Sequence, residues 1–283
     1  MPPALPALFA GATFIALSPI FVRLADVGPT ASAFWRVALA APLLSVLAVL
    51  APGRKLERSD WLALLAAGVA FAGDLGFWHW SIRFTSVANS TLLANLASLF
   101  VTLALWLFWR QRPSRTFLLG LAAALVGVTL LVHSSLRFSP SALLGDALGV
   151  VTAVFYAWYL LAVKGARDRG AGTLRLMAVT TSLTALVLLP VAFASGEALL
   201  PQDARGWMTL AGLAWISHCA GQGLIAYALA HLRAAFSSVS LLFQPVMAAL
   251  FAWLLLSEPL VPLQLLGAVV VLTGIYLARR GST

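Results

Sequence analysis

The sequence predicts an all-α polytopic membrane protein of ten transmembrane helices, arranged as two inverted five-helix repeats around a central cavity. Three observations predict it. Of the 283 residues, 61% are hydrophobic and only 10% charged, with a mean hydropathy of +0.97. The apolar residues fall into ten runs of near-bilayer length, separated by short loops. Residues 74–132 align with 221–279 without a gap.

A soluble chain of this length needs a polar surface, and 18 basic with 9 acidic side chains cannot cover one. A spanning helix takes about 20 apolar residues, so ten spans consume the chain and leave no room for a soluble domain. The net charge of +9 and pI near 11.0 do not indicate nucleic acid. The basic residues are scattered through loops instead of gathered on one amphipathic element. The single cysteine, Cys219, lies inside an apolar run. It excludes an intrachain disulfide and a thiolate metal cluster, and reads as a small packing residue. No motif implies a metal or a cofactor.

In the first half the spans fall near 5–23, 33–50, 61–82, 87–109 and 116–133. The N-terminus lacks a basic segment before the first run, so that run reads as an uncleaved helix. The second half places spans near 144–163, 174–194, 207–229, 235–256 and 262–278. The basic loop residues set the orientation. Thirteen lie on one side: Arg54, Lys55, Arg58, Arg110, Arg112, Arg115, Lys164, Arg167, Arg169, Arg175, Arg233, Arg279 and Arg280. Five lie on the other: Arg23, Arg36, Arg83, Arg137 and Arg205. Both termini are therefore expected in the cytoplasm, which an even number of spans allows.

The repeat runs at a constant offset of 147. It pairs Gly76 with Gly223, Trp106 with Trp253, Leu118-Leu119-Gly120 with Leu265-Leu266-Gly267, and Gly127 with Gly274. Leucine matches carry little weight in apolar helices; one tryptophan pair and three glycine pairs in register carry more. The halves are expected at 1–136 and 142–283. Five spans per half place the second copy upside down. The loop RQRPSR at 110–115 is basic, whereas its repeat partner SEPLVP at 257–262 has no basic residue. Such symmetry suits alternating access around a midplane site.

The stretch Gln244-Pro245-Val246-Met247-Ala248-Ala249-Leu250-Phe251-Ala252-Trp253-Leu254-Leu255-Leu256-Ser257-Glu258-Pro259 resembles the penultimate helix of the EamA-type drug/metabolite transporter superfamily. Gln264-Leu265-Leu266-Gly267 and Thr273-Gly274 resemble its last helix, and Phe34-Trp35-Arg36 its arginine at the mouth of the second. Ser98 and Gln111 depart from the pattern in the first half, where the second has Pro245 and Glu258. The resemblance implies helices 1–4 and 6–9 around a central cavity, with 5 and 10 peripheral. It also implies export of amino acids, nucleosides, toxic cations or other metabolites. The tryptophan-rich character is similar to the YddG-type exporters of aromatic and other amino acids.

Polar groups in a bilayer tend to face the bundle interior. In the fourth span Thr91, Asn95, Ser98 and Thr102 recur at helical spacing, as a cavity wall or as interhelical hydrogen-bonding groups. The sixth offers Thr152, Tyr156 and Tyr159. The eighth offers Trp215, His218 and Gln222 on one face. On the ninth, Ser237, Ser240 and Gln244 line up ahead of Pro245, and in the first Ser18 precedes Pro19. Both prolines are candidate gating hinges or packing kinks.

Asp74 is the acid expected deepest in the hydrocarbon, with Trp78 and Ser81 on its face. It is a candidate proton carrier, a counter-charge for an amine, or a structural acid. His79 lies about 140° round the helix from it. Together they permit a proton route without requiring one. The expected substrate is a small amphipathic metabolite held between spans 3, 4, 6, 8 and 9. Asn95 and Gln244 are to bind its polar groups, and Trp78 and Tyr156 to pack its side chain. The expected assembly is a monomer or weak dimer in the bacterial inner membrane. A lipid-modifying enzyme would gather acids or histidines at one membrane face, and the nine acids here are dispersed.

Overall fold

The computed structural model describes residues 3–51, 54, 56–133 and 142–282. The orientation markers Lys55 and Arg137 and the expected boundary between the halves lie outside the described residues. Regular structure within them is helical throughout.

The first span is two helices, α1 (Ala4–Ile15) and α2 (Ser18–Leu24). Pro19 sits in the first turn of α2, where its missing N–H costs nothing. The second span is α3 (Pro29–Ala38) and α4 (Ala40–Leu50). Pro29 starts α3 earlier than hydropathy suggested, because proline at a first helical position is already set for the helix.

The third span is α5 (Arg58–Phe84), opened by a capping box between Glu57 and Asp60. The fourth is α6 (Val87–Ala94) and α7 (Ala97–Trp109), interrupted at Asn95–Leu96, and the fifth is α8 (Arg115–Val132). In the second half, α9 is Leu143–Asp168 and α10 is Thr173–Ala194, with Pro190 inside it.

The eighth segment stays helical from Ala204 to Leu229 but changes pitch. It is α11 (Ala204–Gly212), a π-helical stretch (Leu213–Gln222) and α12 (Gly223–Leu229). The chain ends with α13 (Ala234–Ser240), α14 (Phe243–Leu256) and α15 (Pro262–Gly281). Among the described residues nine segments are long and apolar enough to cross a bilayer. They are the expected spans without the eighth, whose middle carries the π stretch together with Ser217, His218 and Gln222.

The outward faces carry exposed apolar side chains such as Val49, Leu62, Phe108 and Phe193, as a lipid-solvated surface should. Inside, α5 packs on α9 and α10, and α1 packs on the π stretch and α12. The helices α8 and α15 pack mainly on each other. A Cβ at Gly120 would fall 2.6 Å from the Gly274 carbonyl oxygen, and one at Gly127 would fall 2.8 Å from that of Gly267. Advancing along α8 therefore means retreating along α15: the two run antiparallel with their backbones in contact. Side chains of any size are excluded from this seam.

At the end carrying both termini, Asp60 is fully buried and paired with Arg54 at 2.7 Å and Arg169 at 3.7 Å. Arg175 donates to the Arg54 and Ala51 carbonyls. At the opposite end Glu197 caps α3, accepting from Thr30 N at 2.7 Å, Ala31 N at 3.1 Å and the Thr30 hydroxyl at 2.9 Å. Arg83 pairs with the same carboxylate at 3.3 Å. Trp35 Nε1 donates to the Leu199 carbonyl, and Arg23 meets Glu258 at 2.5 Å.

Candidate substrate site

Three helix breaks converge on one cavity. The α1–α2 break presents Ala16, Ser18 and Pro19; the α6–α7 break presents Ala94 and Asn95; the start of α14 presents Gln244, Pro245 and Ala248. Each break frees backbone groups that a continuous helix would have satisfied. The cavity, about 120 Å³, is completed by Arg36 from α3, Phe71, Asp74, Leu75 and Trp78 from α5, Thr152 and Tyr156 from α9, and Gln222 from the π stretch. Both halves of the chain build it.

Its wall is apolar with a few convergent polar groups, the usual character of a small-molecule site. Asn95 closes α6, and its amide donates to the Thr91 carbonyl at 2.7 Å. Tyr156 stacks on Tyr159, their ring centroids 6.0 Å apart. Gln222 lies within reach of both phenol groups. The Nε2 atoms of Gln222 and Gln244, the Thr91 hydroxyl and Arg36 Nε are buried without a hydrogen-bond partner among the described residues. Arg36 and Asp74 both line the cavity without forming a direct ion pair.

Of the candidate site and hinge residues read from the sequence, the structure gathers Asp74, Trp78, Thr91, Asn95, Thr152, Tyr156, Gln222, Gln244, Ser18, Pro19 and Pro245 at this cavity. The others lie outside its wall. His79 is fully buried, with Nδ1 2.7 Å from the Leu75 carbonyl. Ser98 donates to the Asn95 carbonyl at the α6–α7 break, and Ser240 turns back to the Phe236 carbonyl of its own helix. Tyr159 packs behind Tyr156 against Phe71 and reaches Met177 Sδ. His218 sits behind Phe71 with Nε2 2.8 Å from the Thr181 hydroxyl.

Trp215 does not share the inward face of His218 and Gln222. Its indole is half exposed and donates to the Leu39 carbonyl at 3.2 Å, because π geometry changes the angular step between these residues.

Spans 1 and 2 join the expected substrate spans at the cavity, as the family resemblance implied. One contribution differs from expectation: Arg36, counted in the sequence as a loop charge, is buried in the wall. The signal was present in Gly28-Pro29-Thr30. A proline at a first helical position starts α3 early and carries Arg36 about two turns inward.

A second void of about 730 Å³ opens at the end with the termini, bordered by Trp109, Arg112, Lys164, Asp168, Arg233 and Ser282. Lys164 and Asp168 pair at 2.5 Å, and Arg233 donates to the Ser282 carbonyl.

A transporter-family model described as the EamA-like transporter family matches the chain twice, over residues 3–133 and 143–280. The chain belongs to the EamA-like transporter family. It is thus a multi-pass membrane transporter of the drug/metabolite superfamily.

This EamA-like chain is 28% identical over 272 residues to an uncharacterized transporter of Archaeoglobus fulgidus, an alignment covering 91% of each. It is 27% identical over 224 residues to a Salmonella typhimurium protein named "probable amino-acid metabolite efflux pump", covering 76% of this chain and 75% of that one. A crystal structure superposes with a TM-score of 0.82 at 15% identity, over 99% of this chain and 98% of the other. That last likeness speaks to the fold alone.

Proposed function

We propose that this EamA-like transporter exports amino acids, aromatic and other neutral ones, across the bacterial inner membrane. It works by alternating access, with both termini in the cytoplasm and no enzymatic step or cofactor. The carrying observation is the cavity, enclosed within the helix bundle and built by broken helices from both halves. Broken helices at a binding site let backbone groups and helix ends serve a polar solute.

The two halves act as inverted repeats in this reading. The reciprocal glycine contacts of the antiparallel α8 and α15 support it, since Gly120 and Gly127 correspond to Gly267 and Gly274 at the offset of 147. The named relative supports efflux of amino-acid metabolites, and the aromatic residues Phe71, Trp78 and Tyr156 suit an amphipathic side chain.

The test is counterflow in proteoliposomes with a labelled panel of the twenty amino acids. Saturable accumulation of one or more is expected. No flux of any of them, from protein shown to be monodisperse, would overturn the substrate class and favour a drug or nucleoside carrier of the same family.

A further inference from the structure

We propose that Arg36 and Asp74 form a two-point clamp for a zwitterion, the guanidinium taking the α-carboxylate and the carboxylate taking the α-ammonium group. This deepens the amino-acid reading above and rests on it.

Elsewhere this chain supplies its buried carboxylates with protein partners. Asp60 has Arg54, Arg169 and the Glu57 N–H as partners. Glu197 has two backbone N–H groups, the Thr30 hydroxyl and Arg83. The fold satisfies these charges with protein groups, as burial demands.

Arg36 and Asp74 are the exception. Arg36 is only 5% exposed, yet among the described residues it makes no hydrogen bond and no ion pair. Asp74 likewise accepts no hydrogen bond from a described residue. Both side chains line the cavity, one from each of two neighbouring spans. A purely structural pair would close on itself, since attraction in a low-dielectric interior rewards direct contact. These two share one cavity and stay apart.

Charge balance then selects the ligand. With both side chains ionised the pair is neutral in sum, so a lone anion or cation bound between them would leave one protein charge uncompensated. A zwitterion satisfies both. A nucleoside, having no charge pair, would satisfy neither. Next to the charges stand Phe71, Leu75 and Trp78 for an apolar side chain, with Gln222 and Gln244 as neutral donors. Arginine suits the carboxylate end because its planar fork matches a carboxylate's two oxygens.

The experiment is competition against counterflow of an amino acid that the panel shows to be carried, with labelled phenylalanine as the first choice. The competitors are phenylalanine, phenylalaninamide and phenethylamine, which lack the carboxylate, and 3-phenylpropionate, which lacks the amine. Wild type should be inhibited by phenylalanine at least about 10-fold better than by any of the others. Arg36→Gln should lose the discrimination against phenylalaninamide, and Asp74→Asn the discrimination against 3-phenylpropionate. Arg36→Lys, which keeps the charge but not the fork, should retain part of it.

If the Arg36→Gln protein does not fold, the same ratios are read from Arg36→Lys and Asp74→Asn. Amino-acid flux with equal inhibition by the amide, or variants that keep wild-type ratios, would overturn the clamp while leaving the amino-acid reading standing. Absence of flux for every amino acid would overturn both.

Discussion

Arg110 and Ser257 hold the same left-handed backbone, with φ 55° at each, and stand 147 residues apart. They are the two non-glycine residues with positive φ among the described residues. Each closes a helix, α7 and α14 respectively. In each, the next N–H returns to an equivalent carbonyl, Gln111 to Leu105 at 3.0 Å and Glu258 to Ala252 at 3.3 Å. The sequence differs completely at these sites, Arg-Gln against Ser-Glu, so the turn is kept by the fold and not by a residue type. Glycine is the residue this turn favours.

Replacing either one should therefore stabilise the protein. Arg110→Gly and Ser257→Gly each relieve a left-handed side-chain clash of about 1 kcal/mol. Thermal unfolding in detergent should show a raised midpoint for each, and a near-additive gain for the double variant.

The glycine seam predicts the opposite sign. Gly120→Ala places a Cβ 2.4 Å from the Ala278 backbone nitrogen and 2.6 Å from the Gly274 carbonyl, neither of which can swing aside. Overpacking of this kind costs about 1–3 kcal/mol. Gly223→Ala, where nothing lies within 4 Å of the new Cβ, is the matched control and should leave the midpoint near wild type.

Asp60 should be the costliest surface-end carboxylate to neutralise. Asp60→Ala leaves Arg54 and Arg169 without their shared buried partner and removes the acceptor for Glu57 N–H. Breaking a buried pair costs about 3–5 kcal/mol, and the partial exposure of both arginines should bring the loss to the lower end. Arg23→Ala breaks an exposed pair with Glu258 and should cost under about 1 kcal/mol.

Transport should separate cavity residues from their look-alikes. Gln244→Ala and Asn95→Ala are expected to weaken substrate competition about 5-fold to 20-fold. Ser240→Ala and Ser98→Ala should leave it unchanged, because those residues lie outside the cavity wall and their hydroxyls are taken up by local backbone carbonyls. Equal effects across all four would show that the polar stripes act through packing.

The spans were legible because hydropathy is read in windows longer than any local irregularity. The site was legible only in part, and the failures sit where helices depart from ideal pitch. The stripe Thr91, Asn95, Ser98, Thr102 assumed one continuous helix. The break at Asn95 leaves Thr91 and Asn95 on the cavity, while Ser98 lies elsewhere and Thr102 faces the second void. Trp215 parted from His218 and Gln222 for a related reason, a π stretch that no residue pattern announced. Arg36 was misread as a loop charge because a cation near a span end is usually interfacial. Its place in the wall follows only once α3 is started at Pro29.

The contact between α8 and α15 also orders the chain's own making. The face of Gly120 and Gly127 on α8 has its partner in α15, residues 262–281, so that helix cannot cover it until well over a hundred further residues have been made. During synthesis α8 must wait in the bilayer with this face bare until α15 arrives to close it.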